Sequence, residues 1–257
     1  MKKMTSDIFK LAKSIIPFLM VILVISCANQ EEILKGPTND QTMEGQNTND
    51  QTMDAPATDE VIHYLALGDS YTIGQGVNAK HRWPNQLGES LKKRNYKVRS
   101  IDIIAQTGWT TSNLLYALDN TKIGDYNLVS LLIGVNNQYQ GKSFETFKTE
   151  FGLLLDKSID IAGDAKRVFV VSIPDYGVTS LGKSNSTQIG QELDMYNDYM
   201  SDVCGYRKIP FINITEISRS LGDSEDALAP DGLHPSGSQY AAWVNDILPV
   251  AVEVLNK

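Results

Sequence analysis

The chain has 257 residues, 42% of them hydrophobic and 21% charged, with a formal net charge of −8, values ordinary for a globular chain. That length admits one large domain or two small ones, and the acidic balance offers no basic surface for nucleic acid. With only Cys27 and Cys204, a disulfide-stapled fold and a cysteine-rich metal cluster are both excluded.

Lys2, Lys3, Lys10 and Lys13 open the chain ahead of an apolar run over residues 15–25 that only Pro17 interrupts. A bilayer-spanning helix needs about 20 apolar residues, so this run reads as a secretory signal over residues 1–26. It ends Val24-Ile25-Ser26-Cys27, which resembles the lipobox of bacterial lipoproteins. The resemblance implies cleavage before Cys27, lipidation of its thiol and amine, and an extracytoplasmic protein held on a bacterial membrane, in the periplasm or at the cell surface. Several acyl chains anchor stably where one does so only marginally. The alternative is an ordinary signal peptide, or an uncleaved anchor, with Cys27 incidental.

Residues 27–60 lack apolar periodicity and repeat Thr-Asn-Asp-Gln-Thr-Met at 38–43 and 48–53. Such polar sequence cannot bury enough surface to offset its conformational entropy, and it reads as a disordered tether. It also holds most of the acidity. Without residues 1–26 the chain carries −11, of which −7 lies in residues 27–60 and −4 in the rest.

From Val61 the texture changes, and residues 61–257 read as one domain. Val- and Ile-rich runs at 61–67, 98–104, 128–133, 168–173 and 210–214 alternate with amphipathic stretches. The runs are mostly continuous, as expected of parallel strands covered on both faces. Phe147, Phe151, Leu155 and Ile159 mark one helix; Ile189, Leu193, Tyr196, Met200 and Val203 mark another. Cys204 falls on the apolar face of the latter and reads as a core thiol. A last helix spans 238–255, kinked or split at Pro249. The predicted architecture is α/β: a flavodoxin-like three-layer α/β/α sandwich on a five-stranded parallel sheet, with its ligand beyond the carboxyl ends of the strands.

Three segments beyond strand ends carry chemistry. The first strand runs into Gly68-Asp69-Ser70-Tyr71, the third into Gly134-Val135-Asn136-Asn137, and the fifth is followed by Ala229-Pro230-Asp231-Gly232-Leu233-His234-Pro235. Acyl transfer needs a hydroxyl, a base for its proton, an acid to orient that base, and donors for the oxyanion. Ser70 supplies the hydroxyl. Of the three histidines, His63 lies within the first strand, and His81 could line a pocket or start a helix. His234 remains as the base, with Asp231 three residues earlier to fix its tautomer.

In order and placement these motifs resemble the SGNH (GDSL) hydrolases, and the resemblance spans essentially all of residues 61–257. It implies Ser70 as nucleophile, Asp231 and His234 as its partners, and an oxyanion hole from Ser70, Gly108 of Gln106-Thr107-Gly108-Trp109-Thr110, and Asn136. It also implies ester hydrolysis with neither metal nor cofactor. Two positions depart from the family pattern: Asn137 stands where Asp is common, and Tyr71 where the name-giving leucine sits.

Tyr71, Trp109, Tyr139 and Tyr176, each just past a strand end, are candidates for the pocket rim, with Gln138 and Gln140 nearby as amides for a sugar. The expected partners are an acyl-ester substrate and, through the lipid anchor, a membrane; no protein partner is readable. A short-acyl ester such as an O-acetyl group on a carbohydrate is the expected substrate, because no long apolar loop announces an acyl groove. Lysophospholipid and thioester hydrolysis are the alternatives. From other classes come a catalytically idle glycan-binding lipoprotein and a nucleotide-binding flavodoxin-like protein. The intact Ser70, Asp231, His234 and Asn136 speak against the first, and the lack of a phosphate loop against the second.

Overall fold

The structure, a computed structural model, describes residues 59–257. The secretory signal over 1–26, Cys27 and all but the last two residues of the expected tether lie outside the described residues. Those last two residues already belong to the domain: Asp59 pairs with Lys97 at 2.9 Å, and Glu60 with Arg167 at 2.8 Å.

Five strands, β1 (Val61–Gly68), β2 (Lys97–Ala105), β3 (Leu128–Leu132), β4 (Val168–Val171) and β5 (Phe211–Ile212), form one sheet in the order β2-β1-β3-β4-β5, and every pairing is parallel. This is the expected three-layer sandwich. Helices α2 (Trp83–Lys93) and α8 (Gly237–Leu255) pack together on one face; α3 (Thr111–Asn120), α5 (Phe144–Ala162) and α6 (Ser186–Arg207) cover the other. The central strands are buried on both faces, as their continuous Val, Ile and Leu runs require: every residue of β3 and β4 is buried. Trp83 and Trp243, both fully buried, anchor α2 and α8 to the core, where a buried aliphatic or aromatic side chain contributes about 1.5–3 kcal/mol. A polar pair inside the sheet is satisfied internally, with the Tyr64 hydroxyl 2.7 Å from Ser130 Oγ.

The edges of the sheet differ from the sequence expectation. β2 is not covered on both faces: as an edge strand it exposes Lys97, Arg99 and Asp102. The run 210–214 yields only a two-residue strand, because Asn213 Oδ1 accepts from the Thr215 N–H at 2.9 Å and turns the chain into α7 (Thr215–Leu221), a helix not anticipated. Pro249 does not split the last helix. Ser236 caps it, accepting from the Gln239 N–H at 3.1 Å, and it continues to Leu255. Among the described residues, no helix is long and apolar enough to cross a membrane.

Register positions the site. Gly68 of β1 pairs with Ala105 of β2 and with Leu132 of β3, so the three strands end flush. The loops bearing Ser70, Gly108 and Asn136 therefore emerge side by side. The strand order also reverses between β1 and β3, the topological switch point at which such sheets form their crevice.

Candidate active site

Ser70 opens α1 (Ser70–Ile73), a single turn directly after β1. Asp69 caps that turn, its Oδ1 accepting from the Tyr71 N–H at 3.0 Å, and this fixes the serine against the strand end. Asp69 is fully buried and its Oδ2 has no hydrogen-bond partner. Burial pushes its carboxyl up to about 7, against the opposing pull of backbone N–H groups of Tyr71 and Gly134.

The segment after α7 folds back as a tight loop in which Ala229 N–H donates to the His234 carbonyl at 2.7 Å. Within it, Asp231 Oδ1 accepts from the backbone N–H groups of Leu233 and His234, each at 3.0 Å, and Oδ2 lies 2.7 Å from His234 Nδ1. Burial acts to raise the Asp231 carboxyl, but the His234 backbone and ring and the Leu233 N–H outweigh it and hold it below the usual carboxylate range. An ionised Asp231 cannot donate, so the shared proton sits on Nδ1 and leaves Nε2 as the acceptor nitrogen.

Ser70 and His234 line one pocket of about 250 Å³. Both are nearly buried, and the Tyr71 ring beside Ser70 meets the imidazole edge-on at 5.7 Å between centroids. No hydrogen bond joins Ser70 Oγ to His234 among the described residues. Such contacts are often long without substrate and tighten in the complex.

Gly108 and Asn136 line the same pocket. Gly108 adopts φ +84°, and a Cβ there would meet no atom within 4 Å, so bare backbone faces the cavity. Asn136 lies in the first turn of the short helix α4 (Val135–Tyr139). That helix follows Gly134 at φ +130°, where a Cβ would strike Ile173 and Phe147 at 2.8 Å. The Asn136 Nδ2 donates one hydrogen to the Trp109 carbonyl at 3.0 Å and keeps a second. The adjacent Asn137 serves the scaffold instead. Its Oδ1 accepts from the Thr111 N–H at 3.0 Å and its Nδ2 donates to Thr111 Oγ1 at 2.7 Å, tying α4 to α3. The Thr111 hydroxyl passes on to Glu150. Asn137, at a position where Asp is common in the family, thus orders the loop with both ends of its amide.

Of the four rim candidates, Tyr71, Tyr139 and Tyr176 line the pocket and Trp109 does not. The turn that closes with the Trp109 N–H on the Gln106 carbonyl sends the indole back against the core. Gln138 and Gln140 are already engaged, the first with Tyr176 and Glu192, the second with the Gly108 carbonyl. Missed in the sequence were Thr107, Val135, Leu181 and Leu233. Leu233 could have been found from its place between Asp231 and His234; Leu181 lies in a stretch with no periodicity to flag it.

The other candidates lie elsewhere. His63 Nδ1 is 3.2 Å from Ser100 Oγ on the neighbouring strand. His81 is exposed at the end of a short 3₁₀ turn and borders a different, shallow cleft. Cys204 is fully buried, and burial pushes its thiol up to about 12, which makes it inert.

A family model described as the GDSL-like lipase/acylhydrolase family matches residues 66–242. Among solved structures, a lipase from goat rumen metagenome is 19% identical with a TM-score of 0.58, over 74% of this chain and 97% of that one. The lipase/acylhydrolase from Enterococcus faecalis is 18% identical with a TM-score of 0.58, over 75% and 96%. The psychrotrophic esterase EstA from Pseudoalteromonas sp. is 17% identical with a TM-score of 0.53, over 77% and 100%. At these identities the likeness concerns the fold. No curated protein matches in sequence.

Proposed function

The chain belongs to the GDSL-like lipase/acylhydrolase family and is a carboxylic ester hydrolase, and from that premise we propose that it works through Ser70, His234 and Asp231. The observation that carries this is the 2.7 Å contact between Asp231 Oδ2 and His234 Nδ1 in a loop whose histidine shares a pocket with Ser70. In this mechanism Ser70 Oγ attacks the ester carbonyl and His234 Nε2 takes its proton. The negative charge gathering on the carbonyl oxygen is met by the backbone N–H groups of Ser70 and Gly108 and by the second N–H of Asn136. Collapse expels the alcohol, protonated by His234, and leaves an acyl-serine. Water, deprotonated by the same imidazole, attacks that ester, releases the acid and restores the serine. Each step uses groups on this chain; the Asp231 carboxylate holds the ring and stabilises the imidazolium.

The preferred substrate is a short-acyl ester. The pocket, about 250 Å³, falls below the roughly 300–1,000 Å³ of sites that enclose drug-sized ligands. Val135, Leu181, Leu233 and the tyrosines give it an apolar lining suited to an acyl group. For the alcohol half, the 62% exposed ring of Tyr139 offers a face on which a sugar could stack, which keeps carbohydrate O-acetyl groups as the substrate class. The two glutamines, being engaged, add nothing to it. The lipobox-like Val24-Ile25-Ser26-Cys27 and the acidic segment after it support an extracytoplasmic lipoprotein anchored through Cys27. Palmitate labelling in cells should then be lost in Cys27→Ser, and retained label would contradict the anchor.

The test of function is hydrolysis of p-nitrophenyl acetate by the parent and by Ser70→Ala. The parent turns over and the variant, equally folded by circular dichroism, does not; equal rates would refute the assignment.

A further inference from the structure

The pocket has a definite end. A second, much smaller void of about 10 Å³ lies beside it, and Tyr71, Tyr176 and Leu233 line both. These three side chains are therefore the partition between the two spaces. Beyond it the void is walled by Pro174, Val178, Leu228 and Pro235 and by Asp175, Thr179, Ser218 and Gln239, so an opened partition adds chiefly the space that the tyrosine ring itself fills.

Tyr176 is the partition member held from two sides by groups with no place in the proposed chemistry. Its backbone belongs to a 3₁₀ turn (Tyr176–Val178) capped by Asp175, whose Oδ1 accepts from the Gly177 N–H at 2.7 Å. Asp175 Oδ2 in turn accepts from Arg219 Nε at 2.9 Å, and Arg219 also grips Asp194 at 2.6 Å and Glu216 at 2.8 Å. The turn is thereby tied to both α6 and α7. At its far end the Tyr176 hydroxyl donates to Gln138 Oε1 at 2.9 Å. Gln138 presents that oxygen because its Nε2 donates to Glu192 Oε2 at 2.6 Å, and Glu192 Oε1 accepts from Gln188 at 2.8 Å. Those two donors keep the Glu192 carboxyl below its usual range, so it stays an acceptor and Gln138 has no reason to flip.

We infer that Tyr176 is the acyl-chain stop of this esterase and that Glu192, acting through Gln138, is the positioning residue that keeps it closed. This rests on the proposed serine-esterase reading of the pocket. With the stop in place a short acyl group fills the cavity and a long one meets the tyrosine ring. With it removed, the cavity gains the space of the ring and joins the small void behind. A methylene accepted or refused by an apolar pocket is worth roughly tenfold or more in kcat/KM.

The test measures kcat/KM of the full chain on p-nitrophenyl acetate, butyrate and octanoate, and follows the octanoate-to-acetate ratio. Tyr176→Ala should raise that ratio by roughly tenfold or more. Glu192→Ala should move it in the same direction by less, mainly through a lower KM for octanoate, and Glu192→Gln, which can still accept from Gln138, should restore the parent value. A destabilised variant loses activity on all three esters together, whereas an opened stop changes the ratio. Should Tyr176→Ala fail to fold, Glu192→Ala and Glu192→Gln decide the matter alone. Unchanged ratios in variants whose acetate hydrolysis still depends on Ser70 would overturn the inference and leave the esterase reading intact. A parent that hydrolyses none of the three would overturn both.

Discussion

Replacing Asn136 with Ala separates a catalytic donor from a merely structural amide. In the structure Asn136 Nδ2 spends one N–H on the Trp109 carbonyl at 3.0 Å, in a partly buried setting, and the proposed mechanism spends the other on the oxyanion. Losing the first bond costs about 1 kcal/mol of stability, which lowers Tm by about 2–4 °C in a domain of this size. Losing the second raises the barrier by about 3 kcal/mol, a hundredfold or more in kcat. The oxyanion forms only in the transition state, so KM for p-nitrophenyl acetate should stay near the parent value. Asn136→Asp keeps the shape, removes both N–H groups and sets a negative charge toward the developing anion, so it should be the slower of the two. Steady-state kinetics beside a thermal melt measures all of this. A kcat unchanged in Asn136→Ala despite the expected loss of Tm would refute the donor role.

Two further outcomes follow from buried groups near the site. Asp69 titrates in the fold at about 7 against about 4 unfolded; a raised carboxyl contributes stability that is full in acid and lost as pH rises through about 7. Asp69→Asn keeps the oxygen that accepts from Tyr71 and does not ionise, so between pH 4 and 8 it should lose up to about 4 kcal/mol less than the parent in denaturant melts; parallel pH curves would refute the burial argument. In Asn137→Asp the donor to Thr111 Oγ1 is replaced by an oxygen, while the Thr111 hydroxyl is already committed to Glu150. That leaves a buried acceptor unpaired at about 1–3 kcal/mol, or roughly 3–10 °C in Tm, and an unchanged melt would show that the loop does not depend on the amide.

Much of this molecule can be read from its residues, and the exceptions have physical causes. β1, β3 and β4 were legible because burial on both faces demands unbroken Val, Ile and Leu, and β2 because its run 98–104 is rich in Val and Ile although it lies at the edge. The shortness of β5 and the helix α7 were not, since the run 210–214 is apolar enough for a full strand and only the Asn213 side chain, bonding to the Thr215 N–H, turns it into a helix. Ser70, Asp231 and His234 stood out because acyl transfer needs these types beyond strand ends, and the structure sets Ser70 and His234 on one pocket with Asp231 against the far side of the imidazole. What the sequence could not convey was direction. Trp109 and Tyr139 both lie just past strand ends, yet one packs inward and the other stands 62% exposed. Nor could it reveal engagement: Gln138 and Gln140 look available as letters and are committed in space. The walls formed by Tyr176 and Leu181 come from a 3₁₀ turn and the irregular turn after it, whose placement follows from long-range partners such as Arg219 and leaves no local period.

The central claim is that Ser70 is the attacking nucleophile of an ester hydrolase. Its most direct test is to inactivate the full chain with an alkyl phosphonate that labels activated serines and to map the adduct by peptide mass spectrometry. One phosphonyl group on Ser70, gained in step with the loss of p-nitrophenyl acetate hydrolysis and not gained in Asp231→Asn or His234→Ala, is the predicted result. An adduct on another residue, or hydrolysis that persists after Ser70 is fully labelled, would contradict it.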